Sequence, residues 1–221
     1  MTIARVSAGA VLVLASAVVL GCDKEPPKEV RADKAGQPSQ RGTTVEELAP
    51  PAPPPRETPR DLIQKVQSFS AAVEMVKPDM ADTHDEHSGG TLLLTVWAAS
   101  HLRWEDVGVT KNETSFALVK KDSDEARGKR MCASGTLIQI SKQDFGDLGG
   151  NKIYGGLLLT RSGDILSFFA AGSTGSLVER NKARFCGVVT GTYDYSNSAG
   201  GVGHAVATVG MFDLPENNGA K

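Results

Sequence analysis

Apolar side chains recur along residues 61–77 with the spacing of one helical face. They are Leu62, Val66, Phe69, Val73 and Val76, separated by four, three, four and three positions. Side chains three and four positions apart lie on the same side of an α-helix, so this segment is predicted to be an amphipathic helix. Pro78 is predicted to end the helix, because proline cannot continue its hydrogen bonding.

A second apolar run, residues 91–104, favours a buried helix. It is longer than most strands and contains the pair Ala98-Ala99, and alanine has the highest helix propensity. The polar residues 79–90 between the two helices are predicted to be a loop. Residues 115–119 are consistent with a short strand or a turn of helix, and residues 120–129 with a charged connector.

From residue 130 onward the pattern becomes that of β-strands. Five apolar segments are separated by turn residues, and they comprise residues 130–140, 152–160, 165–171, 183–195 and 204–212. A loop with a short helix is predicted at residues 172–179. Helices followed by strands predict an α+β fold, with a helical segment over 61–125, a β-domain over 126–215 and a disordered tail over 216–221.

The first sixty residues have a different composition. One basic residue, Arg5, precedes an uncharged stretch from Val6 to Leu20, which is typical of a secretory signal peptide over residues 1–21. The stretch is shorter than the roughly 20 residues of a membrane-spanning helix. Residues 22–60 are rich in proline and charge and poor in large apolar side chains, so they are predicted to be a disordered linker.

The end of the signal peptide carries a recognisable motif. Val19-Leu20-Gly21-Cys22 resembles a bacterial lipobox, in which an aliphatic residue, a tolerant position and a small residue precede an acylated cysteine. The resemblance implies a bacterial lipoprotein that is cleaved before Cys22 and anchored through acyl chains such as palmitate on that residue. Two or three chains hold a protein on a membrane without a spanning helix. The alternative is an ordinary signal peptide followed by a chance cysteine.

The strand order carries a second resemblance. Five strands with a short helix between the third and the fourth are similar to the OB-fold, a small five-stranded β-barrel, over residues 128–213. The whole arrangement also resembles lipoproteins of myxobacterial type, which implies no particular activity. Together these resemblances imply an extracytoplasmic domain on a tether, located at the cell membrane or the outer membrane, in the periplasm or elsewhere in the cell envelope.

Three cysteines allow one pair once Cys22 is acylated. Cys132 and Cys186 remain, and export would place them in an oxidising compartment, so a disulfide is predicted between them. Two buried free thiols are the alternative. In an OB-fold the first and fourth strands are neighbours, which agrees with the pairing.

Charge gives no reason to expect nucleic-acid binding. Residues 61–221 hold 16 basic and 19 acidic side chains, a net charge of −3. Proteins that bind phosphate backbones normally have a basic surface, so nucleic acid is not an expected partner.

The aromatic residues of the strands are candidates for a ligand face. OB-folds can stack bases or sugars on their second and third strands, which makes Tyr154, Phe168 and Tyr193 the candidate residues. Phe168 and Phe169 are consecutive, so one must face inward and the other outward. The alternative is that the helices cover the outward aromatic residues. Full burial of both Phe168 and Tyr154 would rule out an OB-type binder of oligosaccharide or nucleic acid.

His84 and His87 are weak candidates for a metal site. Two histidines three positions apart can share a helical face, and neighbouring carboxylates could complete the ligands. The spacing is not that of the H-E-x-x-H motif, and a solvated acidic loop is the alternative. No cofactor is predicted.

Three functions remain open from the sequence. The first is a tethered binding or scaffolding module with an envelope protein partner, which the lack of a catalytic motif favours over an enzyme. The second is an OB-type binder of oligosaccharide or nucleic acid. The third is a metal-dependent envelope enzyme.

Overall fold

The structure, a computed structural model, describes residues 56–197 and 200–219. The predicted signal peptide, Cys22 and nearly all of the predicted linker lie outside the described residues. The seven helices within the described part are α1 (Pro59–Gln64), α2 (Phe69–Val76), α3 (Gly89–His101), α4 (Trp104–Val107), α5 (Phe116–Lys121), α6 (Ser123–Ala126) and α7 (Pro215–Asn218). The strands are β1 (Thr83–His84), β2 (Arg130–Gln143), β3 (Ile153–Thr160), β4 (Ile165–Ala170), β5 (Lys182–Ser196) and β6 (Val202–Phe212).

The predicted helix over residues 61–77 is divided into α1 and α2, so the expectation of one continuous helix is wrong. The indole N–H of Trp97 donates to the backbone oxygen of Val66 at 2.8 Å, an acceptor that a continuous helix would use itself. The Ser68 hydroxyl then accepts from the backbone N–H of Ala71 and begins α2. α2 ends at Val76, and Pro78 lies in the 3₁₀ turn Lys77–Asp79 that follows it.

The predicted buried helix is confirmed as α3, which starts at Gly89 after a capping serine, Ser88. Its buried side chains include Leu94, Val96 and Trp97. Residues 115–119 were predicted to be either a short strand or a turn of helix. They are helical from Phe116 onward, in α5, and Ser115 caps this helix. Residues 172–181 contain turns and no helix, so the predicted short helix between the third and fourth long strands is absent. α7 is a single helical turn at a place where a disordered tail is predicted from residue 216.

All five predicted strands are present, as β2 to β6, in one mixed sheet. The sheet order is β1-β5-β2-β3-β4-β6, and β5 also pairs with β6, so that β2 to β6 form a closed ring of hydrogen-bonded strands. The pairing of β4 with β6 is parallel, and the other pairings within the ring are antiparallel. The short β1 adds to β5 in parallel. The chain therefore has an α+β fold.

Alternation along the strands produces two hydrophobic cores on opposite faces of the sheet. The inner face of the ring holds a cluster that includes Phe168, Phe185 and Phe212, with ring centroids 5.1–5.3 Å apart. The outer face carries Phe169, Val188 and Val209, which pack against Trp97 and other side chains of α1 to α3. The helices thus cover part of the outer face of the sheet.

The predicted disulfide is confirmed. Cys132 of β2 lies directly opposite Cys186 of β5, and their sulfur atoms are 2.02 Å apart. The Asn112 side chain accepts from the Cys132 N–H at 2.8 Å and donates to the Cys132 oxygen at 3.0 Å, so these backbone groups point away from β5. Opposed residues that do not exchange backbone hydrogen bonds come closest together, and the two Cα atoms are only 4.0 Å apart.

Candidate binding groove

The three residues of the predicted ligand face are not brought together on one surface. Phe168 is 1% exposed and belongs to the inner core, so it cannot form a platform for a ligand. Tyr154 is half-buried and packs against the same core. Strand alternation sends Phe168 inward and Phe169 outward, where Phe169 is covered by Phe145 and His87. Tyr193 alone of the three predicted residues lines a groove on the outer face through its ring.

This groove, called here the aromatic groove, lies on the outer face of the sheet beside the part that the helices cover. Its volume is about 380 Å³. Gly155, Leu157 and Ser167 of β3 and β4 form its floor. The walls are formed by side chains from β2, β4, β5 and the loop before α3, namely Gln139, Gln143, Phe169, Tyr193, Tyr195, Asp85 and His87.

Aromatic rings form a continuous row that runs from Tyr195 at the groove to Phe145 beyond it. Tyr195 stacks on Tyr193 with centroids 6.0 Å apart, and Tyr193 stacks on His87 at 4.3 Å. His87 meets Phe169 edge to face at 4.6 Å, and Phe169 meets Phe145 in the same manner at 5.4 Å. Strand periodicity places Tyr193 and Tyr195 on one side of β5, which aligns their rings.

His87 is the titratable group at the centre of this row. Burial lowers its pKa from 6.5 to about 4, so the imidazole is neutral at neutral pH. Its Nδ1 atom is buried and has no hydrogen-bond partner. A buried polar atom without a partner is rare in proteins, and leaving this nitrogen without a hydrogen bond costs stability.

Asp85 fixes the loop that delivers His87. Its backbone has a positive φ of 58°, and its N–H donates to the Asp194 oxygen at 2.8 Å. Its carboxylate accepts from the Ser196 N–H at 2.9 Å, and this bond holds the pKa of Asp85 below its usual value. The Tyr193 hydroxyl donates to the backbone oxygen of Asp85 at 3.3 Å. Burial and the negative charge of the Asp85 carboxylate raise the pKa of Tyr193.

The amide side chains form the opposite wall. Gln143 donates to the Ser141 hydroxyl at 2.9 Å, which fixes its orientation. Gln139 is exposed, and its amide makes no hydrogen bond within the described residues. The neighbouring loop is held by Arg60 of α1, which donates to the oxygen of Phe145 at 2.7 Å and to that of Asp147. The groove therefore combines fixed aromatic rings with amide groups that can bond a polar ligand.

The predicted metal pair is not brought together. His84 is exposed and lies 3.2 Å from the Asp85 carboxylate, whereas His87 points into the aromatic row. Nowhere in residues 56–197 and 200–219 do three histidine, cysteine or acidic side chains form a group that could hold a metal ion. The geometry gives no support to a metal-dependent reaction at these histidines.

The sequence did not predict His87 as an aromatic contact or Gln139 as a groove residue. Phe169 and Tyr195 are strand aromatic residues that were not among the three predicted for the ligand face. Tyr195 could have been found, since it shares a strand face with Tyr193. The position of His87 depends on the pairing of β1 with β5, and a two-residue strand leaves no readable pattern.

Comparison with known proteins found no family model, no curated protein and no solved structure that matches this chain. Within the described residues, none of the helices has the length and apolar character needed to cross a membrane.

Proposed function

We propose that this protein is an extracytoplasmic binding module, held on a bacterial membrane by acyl chains on Cys22, that binds oligosaccharides in the aromatic groove. The lipobox-like residues Val19 to Cys22 support the anchor, and the proline-rich residues 22–60 would act as a spacer. The choice of ligand rests on the row of aromatic rings together with the Gln139 amide, which makes no hydrogen bond within the described residues.

The closed ring supports an OB-like barrel as the scaffold. Its strand order, its single parallel pairing between β4 and β6 and its antiparallel first and fourth long strands are those of the OB-fold. The missing helix between β4 and β5 is a departure from the common form. OB-folds bind oligosaccharides and oligonucleotides on their second and third strands, which correspond to β3 and β4 at the floor of the groove.

An oligosaccharide suits this groove better than a nucleic acid. Sugar rings present flat apolar faces to aromatic side chains and hydroxyl groups to amides, and both partners are present in Tyr195 and Gln139. Asp85 contributes a negative charge to the lining, and no lysine or arginine of the described residues lines the groove. The negative charge of Asp85 would therefore repel a phosphate backbone, which normally binds to lysine and arginine side chains.

The test is calorimetric titration of the purified full-length protein with N-acetylglucosamine oligomers of three to six units. The variant Tyr195→Ala is expected to weaken binding by roughly tenfold, since a stacking contact contributes on the order of 1–2 kcal/mol. Gln139→Ala should weaken it as well, whereas Gln67→Ala, an exposed glutamine outside the groove, should not. Binding that is unchanged in Tyr195→Ala and Gln139→Ala would assign the ligand to another surface.

The proposed lipid anchor requires a separate experiment, because acylation of Cys22 can be disproved while sugar binding in the aromatic groove is supported. Cells that express the protein would be labelled with an alkyne-bearing palmitate analogue, with Cys22→Ser as the control. Label on the unchanged protein alone would support acylation of Cys22. Crosslinking of the anchored form, followed by mass spectrometry, would show whether an envelope protein is also a partner, as the scaffolding hypothesis predicts.

A further inference from the structure

A second and larger groove lies on a different part of the ring. Its volume is about 920 Å³, and it runs along the first half of β2, the start of β5 and the turn after β3. We call it the cationic groove. It shares no lining residue with the aromatic groove.

The lining of this groove has a marked charge asymmetry. Arg161, Lys182 and Arg184 line it, and no acidic residue in the described part of the chain does so. This is notable in a chain whose residues 61–221 carry a net charge of −3. Like charges gathered in a concave surface strengthen one another's potential and attract an anion.

Two of the three cations are not neutralised. Arg184 pairs with Asp213, but Arg161 and Lys182 are exposed and have no ion pair among the residues that the structure describes. Two carboxylates close to lining residues in the sequence already form ion pairs with other side chains. Glu113 binds Arg130, and Asp164 binds Lys120.

Hydroxyl groups alternate with the cations in the strand register. Ser134 of β2 lies directly opposite Arg184 of β5, and Thr136 lies directly opposite Lys182. Residues two apart on a strand share a face and are separated by about 7 Å. The two strands therefore present two hydroxyl–cation pairs in succession, a pattern that matches a chain with repeated anionic groups rather than a single ion.

The chemistry of the lining distinguishes between anionic chains. Proteins that bind single-stranded nucleic acids usually stack several bases on aromatic side chains. The cationic groove has one aromatic residue in its lining, Phe116, and is otherwise polar or aliphatic. An acidic sugar chain needs cations and hydroxyl groups without such a platform.

We propose that the cationic groove is a second binding site, and that its ligand is an acidic oligosaccharide whose carboxylates bind Arg161 and Lys182, the two lining cations that have no ion pair among the described residues. Hydroxyl groups of the sugar chain bond to Ser134 and Thr136. The site is independent of the aromatic groove and of the ligand proposed there.

The experiment titrates the full-length protein with an oligogalacturonate of about six units at low salt, where exposed charge contacts are least screened. The fully methyl-esterified oligomer serves as the matched ligand, because it has the same sugar rings without the charges. The double variant Arg161→Gln, Lys182→Gln is compared with Lys77→Gln, Lys152→Gln. The latter removes the same net charge from exposed lysines outside the groove.

We expect the acid form to bind, the ester to bind at least about tenfold more weakly, and the groove variant to lose affinity by roughly tenfold or more. The control variant and Tyr195→Ala should bind as the unchanged protein does. Equal affinity of the two double variants, equal binding of the ester or no binding of the acid would overturn the proposal. Tighter binding of an oligothymidylate than of the acid would also overturn it, in favour of single-stranded nucleic acid.

Discussion

At the scale of single residues, His87 is held neutral by its surroundings rather than by a charged partner. It is stacked on Tyr193, and burial lowers its pKa from 6.5 to about 4. A base with a lowered pKa binds its proton more tightly in the unfolded chain than in the folded one. Its contribution to stability is therefore complete above about pH 6.5 and is lost as the pH falls from there towards 4.

The variant His87→Phe should reduce this acid sensitivity. Phenylalanine keeps a ring in the row, removes the titrating group and removes the unpaired Nδ1 atom. Between pH 7 and pH 4.5 the unchanged protein should lose about 1–2 kcal/mol more of its free energy of unfolding than the variant, with allowance for partial exposure. Urea unfolding at the two pH values measures the difference.

The control for this prediction is His84→Gln, which alters an exposed histidine three residues away. Its acid sensitivity should stay closer to that of the unchanged protein than to that of His87→Phe, although the change also removes a contact with Asp85. An equal loss in His87→Phe and the unchanged protein would mean that carboxylates alone account for acid destabilisation.

At the scale of elements, the disulfide joins β2 to β5 across a sequence separation of 54 residues. The crosslink restricts the unfolded chain, and for a loop of this length the entropic contribution is about 4 kcal/mol. The double variant Cys132→Ala, Cys186→Ala should lose stability of this order in urea unfolding. Reduction of the unchanged protein with dithiothreitol should lower its stability similarly, and unchanged stability after confirmed reduction would contradict the prediction.

At the scale of the whole molecule, closure of the ring depends on close contact between β5 and β6. Gly210 lies directly opposite Gly187, and a Cβ atom at Gly210 would stand 2.0 Å from the Cys186 oxygen. The variant Gly210→Ala should therefore force the two strands apart and lower the free energy of unfolding by about 3 kcal/mol or more.

Gly89→Ala is the matched control for this prediction. Gly89 begins α3, and a Cβ atom there would meet nothing within 4 Å. Its stability should remain within about 1 kcal/mol of that of the unchanged protein, or increase. Thermal and urea unfolding of both variants would test the prediction, and similar stability of the two would show that the pairing of β5 and β6 is more adaptable than the structure indicates.

Features that depend on local periodicity could be predicted from the amino-acid pattern. Alternation predicted all five long strands, and apolar content predicted α3. The cysteine count, combined with the inferred export, predicted the pairing of Cys132 with Cys186. These signals are local because a strand or helix buries one face whatever its neighbours are. The continuity of residues 61–77 was predicted wrongly, because the bond from Trp97 to Val66 joins segments 31 positions apart.

The residues that form the two grooves could not be predicted from the amino-acid pattern, because they come together through strand pairing. Phe168 and Phe169 are adjacent and chemically identical, and ring closure alone determined that Phe168 lies inside. His87 reached the aromatic row through the pairing of β1 with β5, and Lys182 and Arg184 met Ser134 and Thr136 through the register of β2 with β5. Such contacts depend on how strands pair across long separations, and a single sequence carries no local signal for that register.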